Sequence, residues 1–322
     1  MLCALIHNSK AFRIRPIVLM VQNRMLQRII LCAALWLLWP VCAFALSPYV
    51  LGDKNICIGV AACVQRAEQR LQGAGFRIVG VHFPRGIPGY AVLVVTDKNL
   101  LETIRALGGS AIVGAGIRVG VKGDGTVSYI NPDYWYRAYF QKKFESYSAA
   151  IQALQQRLAK ALGEQAEFGG EVPALELPTY RYMLGMERFD SDKTKLAAHA
   201  NFRTALNAVQ GNLAHGMNHT KKVYEVIFPD KKLAVFGVAM NDPQHGERWW
   251  LKQAGVENIA ALPWEIYIVN GQVYALYARY RTALAWPDLT MGVFMRITDH
   301  PETVREMLTG VAGGKYQKGN EF

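Results

Sequence analysis

The stretch Ala214 to His219 (AHGMNH) sets His215 and His219 four residues apart with Met217 between them. On a helix that spacing brings both imidazoles to one face, as ligands suited to copper, zinc or haem iron. In the competing reading, Gly216 and Asn218 end the helix and leave two solvated histidines ahead of the basic run at Lys221 and Lys222. His199 lies three residues from both Leu196 and Phe202, the position of a packed histidine, and His245 sits near Glu247 in a turn. The other residues with chemical potential are Cys57 and Cys63. Five residues between them is not the C-x-x-C spacing of thiol oxidoreductases. In an exported chain an even pair reads first as a disulfide worth roughly 2 to 3 kcal/mol, and second as a redox pair near a helix start.

Motifs for catalysis are missing. No Gly-x-Ser-x-Gly elbow occurs. The glycine run GAGIRVGVKGDG is followed by a strand pattern rather than by the helix that a phosphate-cradling loop requires. The carboxylates form no recognisable pair in sequence. These residues favour a binding or scaffolding module over an enzyme and call for no cofactor.

Export is read from the N-terminus. An apolar run of 11 residues, Ile29 to Trp39, follows Arg24 and Arg28 and is closed by Pro40 and Ala43-Phe44-Ala45. That is the pattern of a secretory signal cleaved after Ala45. It falls short of the about 20 residues a permanent membrane-spanning anchor needs. The expected location is the periplasm. Five of the 36 Lys and Arg and none of the Asp or Glu lie in the first 45 residues, so the formal +11 of the whole chain becomes +6 without them. The remaining cations are dispersed, unlike the concentrated stripe that nucleic acid selects. The expected partner is a small ligand or an envelope protein.

The elements that must position any site are written twice. RIVGVHFP (Arg77 to Pro84) matches KVYEVIFP (Lys222 to Pro229), and YAVLVV (Tyr90 to Val95) matches LAVFGV (Leu233 to Val238). IRVGVKGDGTV then falls on WEIYIVNGQV. Hydrophobic periodicity predicts helices over Ala61 to Leu71 and Leu196 to Leu213, each followed by two strands, a short helix, a hairpin and a closing helix. The expected fold is α+β: two tandem repeats, each helix-strand-strand-helix-strand-strand with a closing helix, with antiparallel hairpins packed against helices. The boundaries are 1–45 signal peptide, 46–163 first repeat, 164–191 linker with an extra strand in TYRYMLGMERF, and 192–322 second repeat.

In the second hairpin an Asn270-Gly271 turn, with positive φ at both residues, places Val269 opposite Gln272 and Tyr267 opposite Tyr274. One face, with Trp264, Ile266 and Ile268, suits a core. The other face and its tail carry Glu265, Tyr267, Tyr274, Tyr280, Arg281 and Trp286, too aromatic to lie idle in water. Either the other repeat or a helix covers them, or they form a ligand groove. In the matched register Arg118 stands where Glu265 stands. If the repeats pack about a pseudo-twofold axis, these charges meet across the seam, and exchanging them should be tolerated where a single reversal is not. The alternative is two unrelated surface charges.

Ala234 to Arg279, with VSYINPDYW in the first half, resembles the bacterial family catalogued as domain of unknown function three-hundred-two. The likeness rests on Phe236-Gly237 at a strand end, Leu262-Pro263 before a hydrophobic strand, and Asn131-Pro132 after a hairpin. It spans Gly75 to Tyr139 and Lys222 to Ile297. The first copy departs from it with Ala115-Gly116 where the second has Leu262-Pro263. The resemblance implies a small α+β domain. It implies no activity and transfers no functional residue.

Overall fold

A computed structural model describes residues 44–316. All but the last two residues of the expected export signal lie outside the described residues. The chain runs β1 (Ala45–Leu46), β2 (Tyr49–Leu51), α1 (Val60–Gly73), β3 (Arg77–His82), β4 (Tyr90–Thr96), α2 (Lys98–Leu107), β5 (Ile117–Lys122), β6 (Val127–Ile130), α3 (Pro132–Phe140) and α4 (Ser148–Leu162). Two short strands follow, β7 (Ala166–Phe168) and β8 (Val172–Pro173). The second half contains β9 (Lys195–Ala198), α5 (Phe202–Ala214), β10 (Thr220–Phe228), β11 (Leu233–Met240), α6 (Glu247–Ala254), β12 (Trp264–Val269), β13 (Gln272–Tyr274), α7 (Ala278–Ala285), α8 (Met291–Arg296) and α9 (His300–Val311).

The fold is α+β, with helices layered on two antiparallel sheets. One sheet has the order β3-β4-β5-β6-β2-β7 and the other β10-β11-β12-β13-β9, while β1 pairs with β8. Helices α1 and α4 pack together, α1 lying on β3, β4 and β5, and α5 lies on the second sheet with α9 against it. The opposite faces of the sheets meet. Strand β3 touches β10, the turn at 109–115 rests on β11 and β12, and the turn at 259–261 rests on β4, β5 and β6. Small residues allow this approach: a Cβ on Gly80 would stand 2.5 Å from the Val223 carbonyl oxygen. Covered on both sides, β4 and β11 are buried almost throughout. Their sequences are therefore apolar runs without alternation, as buried strands require. The residues from Phe44 onward form one compact unit, so the two expected domains share a core. Among the described residues no helix is long and apolar enough to cross a membrane.

The hairpin register is as expected, with Val269 paired to Gln272 and Tyr267 to Tyr274. At the turn Asn270 is left-handed at φ 58°, but Gly271 is not at positive φ. Other expectations are corrected. Leu196 begins no helix: Lys195–Ala198 is a strand on β13, and α5 starts only after Asn201, whose side chain accepts from the Thr204 amide at 3.0 Å. That N-cap interrupts the helical period. No strand forms in TYRYMLGMERF. Tyr180 and Phe189 are buried there, and the stretch becomes an irregular strap. The second hairpin ends at Tyr274, so Tyr280 and Arg281 lie on α7 and Trp286 caps it. Helix α3 is the matching feature of the first half, started by Asn131 and by Pro132 in its first turn.

Candidate functional site

The six residues expected to form one aromatic-polar surface are divided among separate places. Tyr267 and Tyr274 stack on each other with ring centroids 5.4 Å apart, and Tyr280 packs edge-on against Tyr180 and Phe189. Glu265 and Arg281 enter the seam between the halves, and Trp286 joins a tryptophan cluster. Only Tyr274 is even half-exposed. The open groove is thus corrected to a covered face: the first half covers Glu265 and Arg281, the strap covers Tyr280, and Trp250 covers Trp286.

The seam is built around one carboxylate. Arg118 on β5, fully buried, donates through Nη1 to Glu265 on β12, so the two charges matched in sequence do meet. Its Nε donates to the Ala260 carbonyl at 3.0 Å, and Tyr139 accepts from both terminal nitrogens at 3.3 and 3.4 Å. Arg281 approaches the same carboxylate from α7, donating through Nε at 3.2 Å and to the Ala261 carbonyl at 2.7 Å. Both guanidiniums lie within 5 Å of the Trp135 ring centroid, at 4.5 and 4.7 Å. Burial alone would discharge Arg118, but Tyr139 and Glu265 outweigh it and hold the guanidinium pKa above its ordinary value. Burial likewise pushes the Tyr139 phenol up, so it stays neutral and accepts. The expected tolerance of a charge exchange falls with this geometry, since an arginine at 265 would face Arg281. A second buried contact joins the halves, His82 Nε2 lying 2.7 Å from Glu247.

The other polar interior is unlike the seam. His300, the first residue of α9, is buried beside Trp250, Trp264 and Trp249, with ring centroids 5.4, 5.9 and 6.3 Å away. Trp286 extends the cluster at 5.0 Å from Trp250. Neither His300 ring nitrogen has a hydrogen-bond partner among the described residues, nor do the indole nitrogens of Trp250, Trp264 and Trp286 or the Thr282 hydroxyl. Burial first, and the nearby His245 second, push the His300 pKa down from 6.5 to about 3. The imidazole is therefore neutral at physiological pH, able to donate from one nitrogen and accept at the other.

His300 and Thr282 also line a cavity of about 300 Å³. Its walls come from Tyr182 and Met186 of the strap, Ala283 of α7, and Phe294 and Ile297 at α8. Tyr182 and Phe294, both in its lining, stack directly on each other at 5.2 Å. The same segments expose Met183, Leu184, Met291 and Met295 to solvent. A small concave space, mostly apolar, with a few polar groups that the protein leaves unsatisfied, is the form of a ligand pocket. Sequence inspection missed it. The Asp-His-Pro run before α9 reads only as a helix start, and Trp249-Trp250 carries no spacing that ties it to a histidine 50 positions later.

The candidate metal ligands are not brought together. Helix α5 ends at Ala214, Gly216 is left-handed, and Asn218 and His219 both have positive φ, so no helical face presents both imidazoles. His215 Nδ1 turns back to the Gly211 carbonyl at 2.7 Å, and His219 lies 4.0 Å from Asp242. Among the described residues no group of three or more His, Cys, Asp or Glu is placed to hold a metal ion. Cys57 and Cys63 are joined as a disulfide, with Cys63 buried at the start of α1. Comparison of the chain with protein-family models, curated proteins and solved structures finds no match.

Proposed function

We propose that this chain is an exported, periplasmic binding module for a small, largely apolar molecule that carries a hydrogen-bonding group, held in the cavity between the strap and α7, α8 and α9. The observation that carries the reading is His300. A buried neutral imidazole with two unpartnered nitrogens costs free energy, and the unpartnered Thr282 hydroxyl in the same lining adds to that deficit. A ligand with an acceptor and a donor would relieve it while the rings of Tyr182 and Phe294 cover its apolar body. The resemblance to the family of unknown function is compatible with such a role and adds no chemistry to it.

Tryptophans packed around His300 provide the signal for a test. Titration with small non-fluorescent probes such as cyclohexanol and cyclohexanone is expected to change the tryptophan emission saturably. Ala283→Phe, which fills part of the cavity without adding an indole, should abolish that response while retaining a cooperative unfolding transition. An equal response in the filled variant, or none from the native protein across the probe series, overturns the reading.

A further inference from the structure

A second concave site lies on the other side of the strap. A cleft of about 350 Å³ is lined by Lys142, Lys143 and Arg188, by Asp190, and by the hydroxyls of Ser110 and Thr179. Its floor is made of the buried rings of Tyr139, Phe140, Tyr180 and Phe189. The two lysines face it because α3 stops abruptly. Gln141 takes φ 51°, a left-handed conformation uncommon for a residue with a side chain, and donates its amide to the Arg137 carbonyl. The chain turns there instead of continuing the helix, and the strap carries Arg188 to the same opening.

A shared position in one cleft sets this trio apart. Arg70, Arg105, Lys122, Arg137 and Arg157 each have a carboxylate within 4 Å. Among the described residues Lys142, Lys143 and Arg188 enter no such pair, and neither do other exposed cations such as Lys54, Lys231 and Lys252, but these three line one cleft. With Asp190 as the sole acid in the lining, the cleft carries a net charge of two positive. Like charges gathered over an apolar floor repel one another more than they would in open water, and an anion relieves the repulsion. A guanidinium fork and two mobile ammoniums suit the tetrahedral, doubly charged phosphate group.

We infer that this cleft binds a phosphate-bearing anion, free in solution or as a lipid headgroup. The site is distinct from the apolar cavity and does not depend on it. The test uses the full mature chain at low salt, in two arms: calorimetric titration with sodium pyrophosphate, and cosedimentation with phosphatidylglycerol vesicles. Saturable binding in the first arm identifies a soluble phosphate ligand, and binding in the second alone identifies a headgroup. In either case Lys142→Gln/Lys143→Gln/Arg188→Gln should weaken binding at least tenfold. The control Lys54→Gln/Lys231→Gln/Lys252→Gln removes the same charge from exposed positions elsewhere and should change it less than twofold. Asp190→Asn should tighten it. Absence of binding in both arms, or equal loss in the two triple variants, overturns the inference.

Discussion

The seam and the His300 cluster are both buried, both aromatic and both polar, yet they differ in how their hydrogen-bonding capacity is met. At the seam one carboxylate lies between two guanidiniums, and backbone carbonyls and a phenol accept the nitrogens that remain. Around His300 a comparable number of polar atoms have no partner among the described residues. Satisfied networks hold a fold in one arrangement, whereas an unsatisfied cluster beside a cavity destabilises it until something else completes it. The contrast separates the part of this molecule that joins its halves from the part suited to binding.

The largest effect is expected at the seam. Glu265→Gln leaves two buried guanidiniums without a counter-charge and should cost about 3 to 5 kcal/mol, read as a fall in the urea midpoint. Exchanging the charges with Arg118→Glu and Glu265→Arg should not restore the midpoint, because the new arginine meets Arg281. Recovery to the native value would show that Arg118 and Glu265 act as an isolated pair and that Arg281 is incidental. At the second region, His300→Phe removes both unpartnered nitrogens and should leave stability at pH 7 unchanged or higher. The folded ring resists protonation to about pH 3, whereas the unfolded one accepts a proton near 6.5. Its contribution is therefore complete above pH 6.5 and lost as pH falls toward 3, by up to roughly 1.4 kcal/mol per pH unit. Urea titrations from pH 7 to pH 4 should show a shallower decline in the variant, and an identical decline would mean that the ring is hydrated in the folded state. The smallest effect is expected at the exposed histidines of the turn between α5 and β10. His215→Ala with His219→Asn, the latter chosen because asparagine tolerates the left-handed backbone at 219, should move stability by no more than about 0.5 kcal/mol. A larger change would give those side chains a role that their exposure does not suggest.

Much of the framework was legible in short-range pattern. Two-residue alternation and Asn270-Gly271 set the second hairpin register, and helical spacing located α1, α4 and α9. The meeting of Arg118 and Glu265 was legible only as one of two readings, conditional on how the matched stretches pack, and the contact itself came from the tertiary structure. The misreadings share a cause. Glu265, Tyr267, Tyr280 and Trp286 appeared to form one surface because an alternating pattern was continued beyond Tyr274, where the chain turns into α7. The strap appeared to be a strand because Tyr180 and Tyr182 alternate with Thr179 and Arg181, although both tyrosines wall cavities and pair with no neighbouring strand.

The sequence by itself determined the α+β elements, the apolar strands, the turn chemistry and the pairing of Cys57 with Cys63, since each depends on residues near one another along the chain. Tertiary structure alone decided which polar groups are satisfied. His300 meets Trp250 and Trp264, and Lys142 and Arg188 come to line one cleft, only once the chain has closed into its tertiary fold. Burial and desolvation turn an ordinary histidine into a candidate site, and convergence on one cleft does the same for three exposed cations.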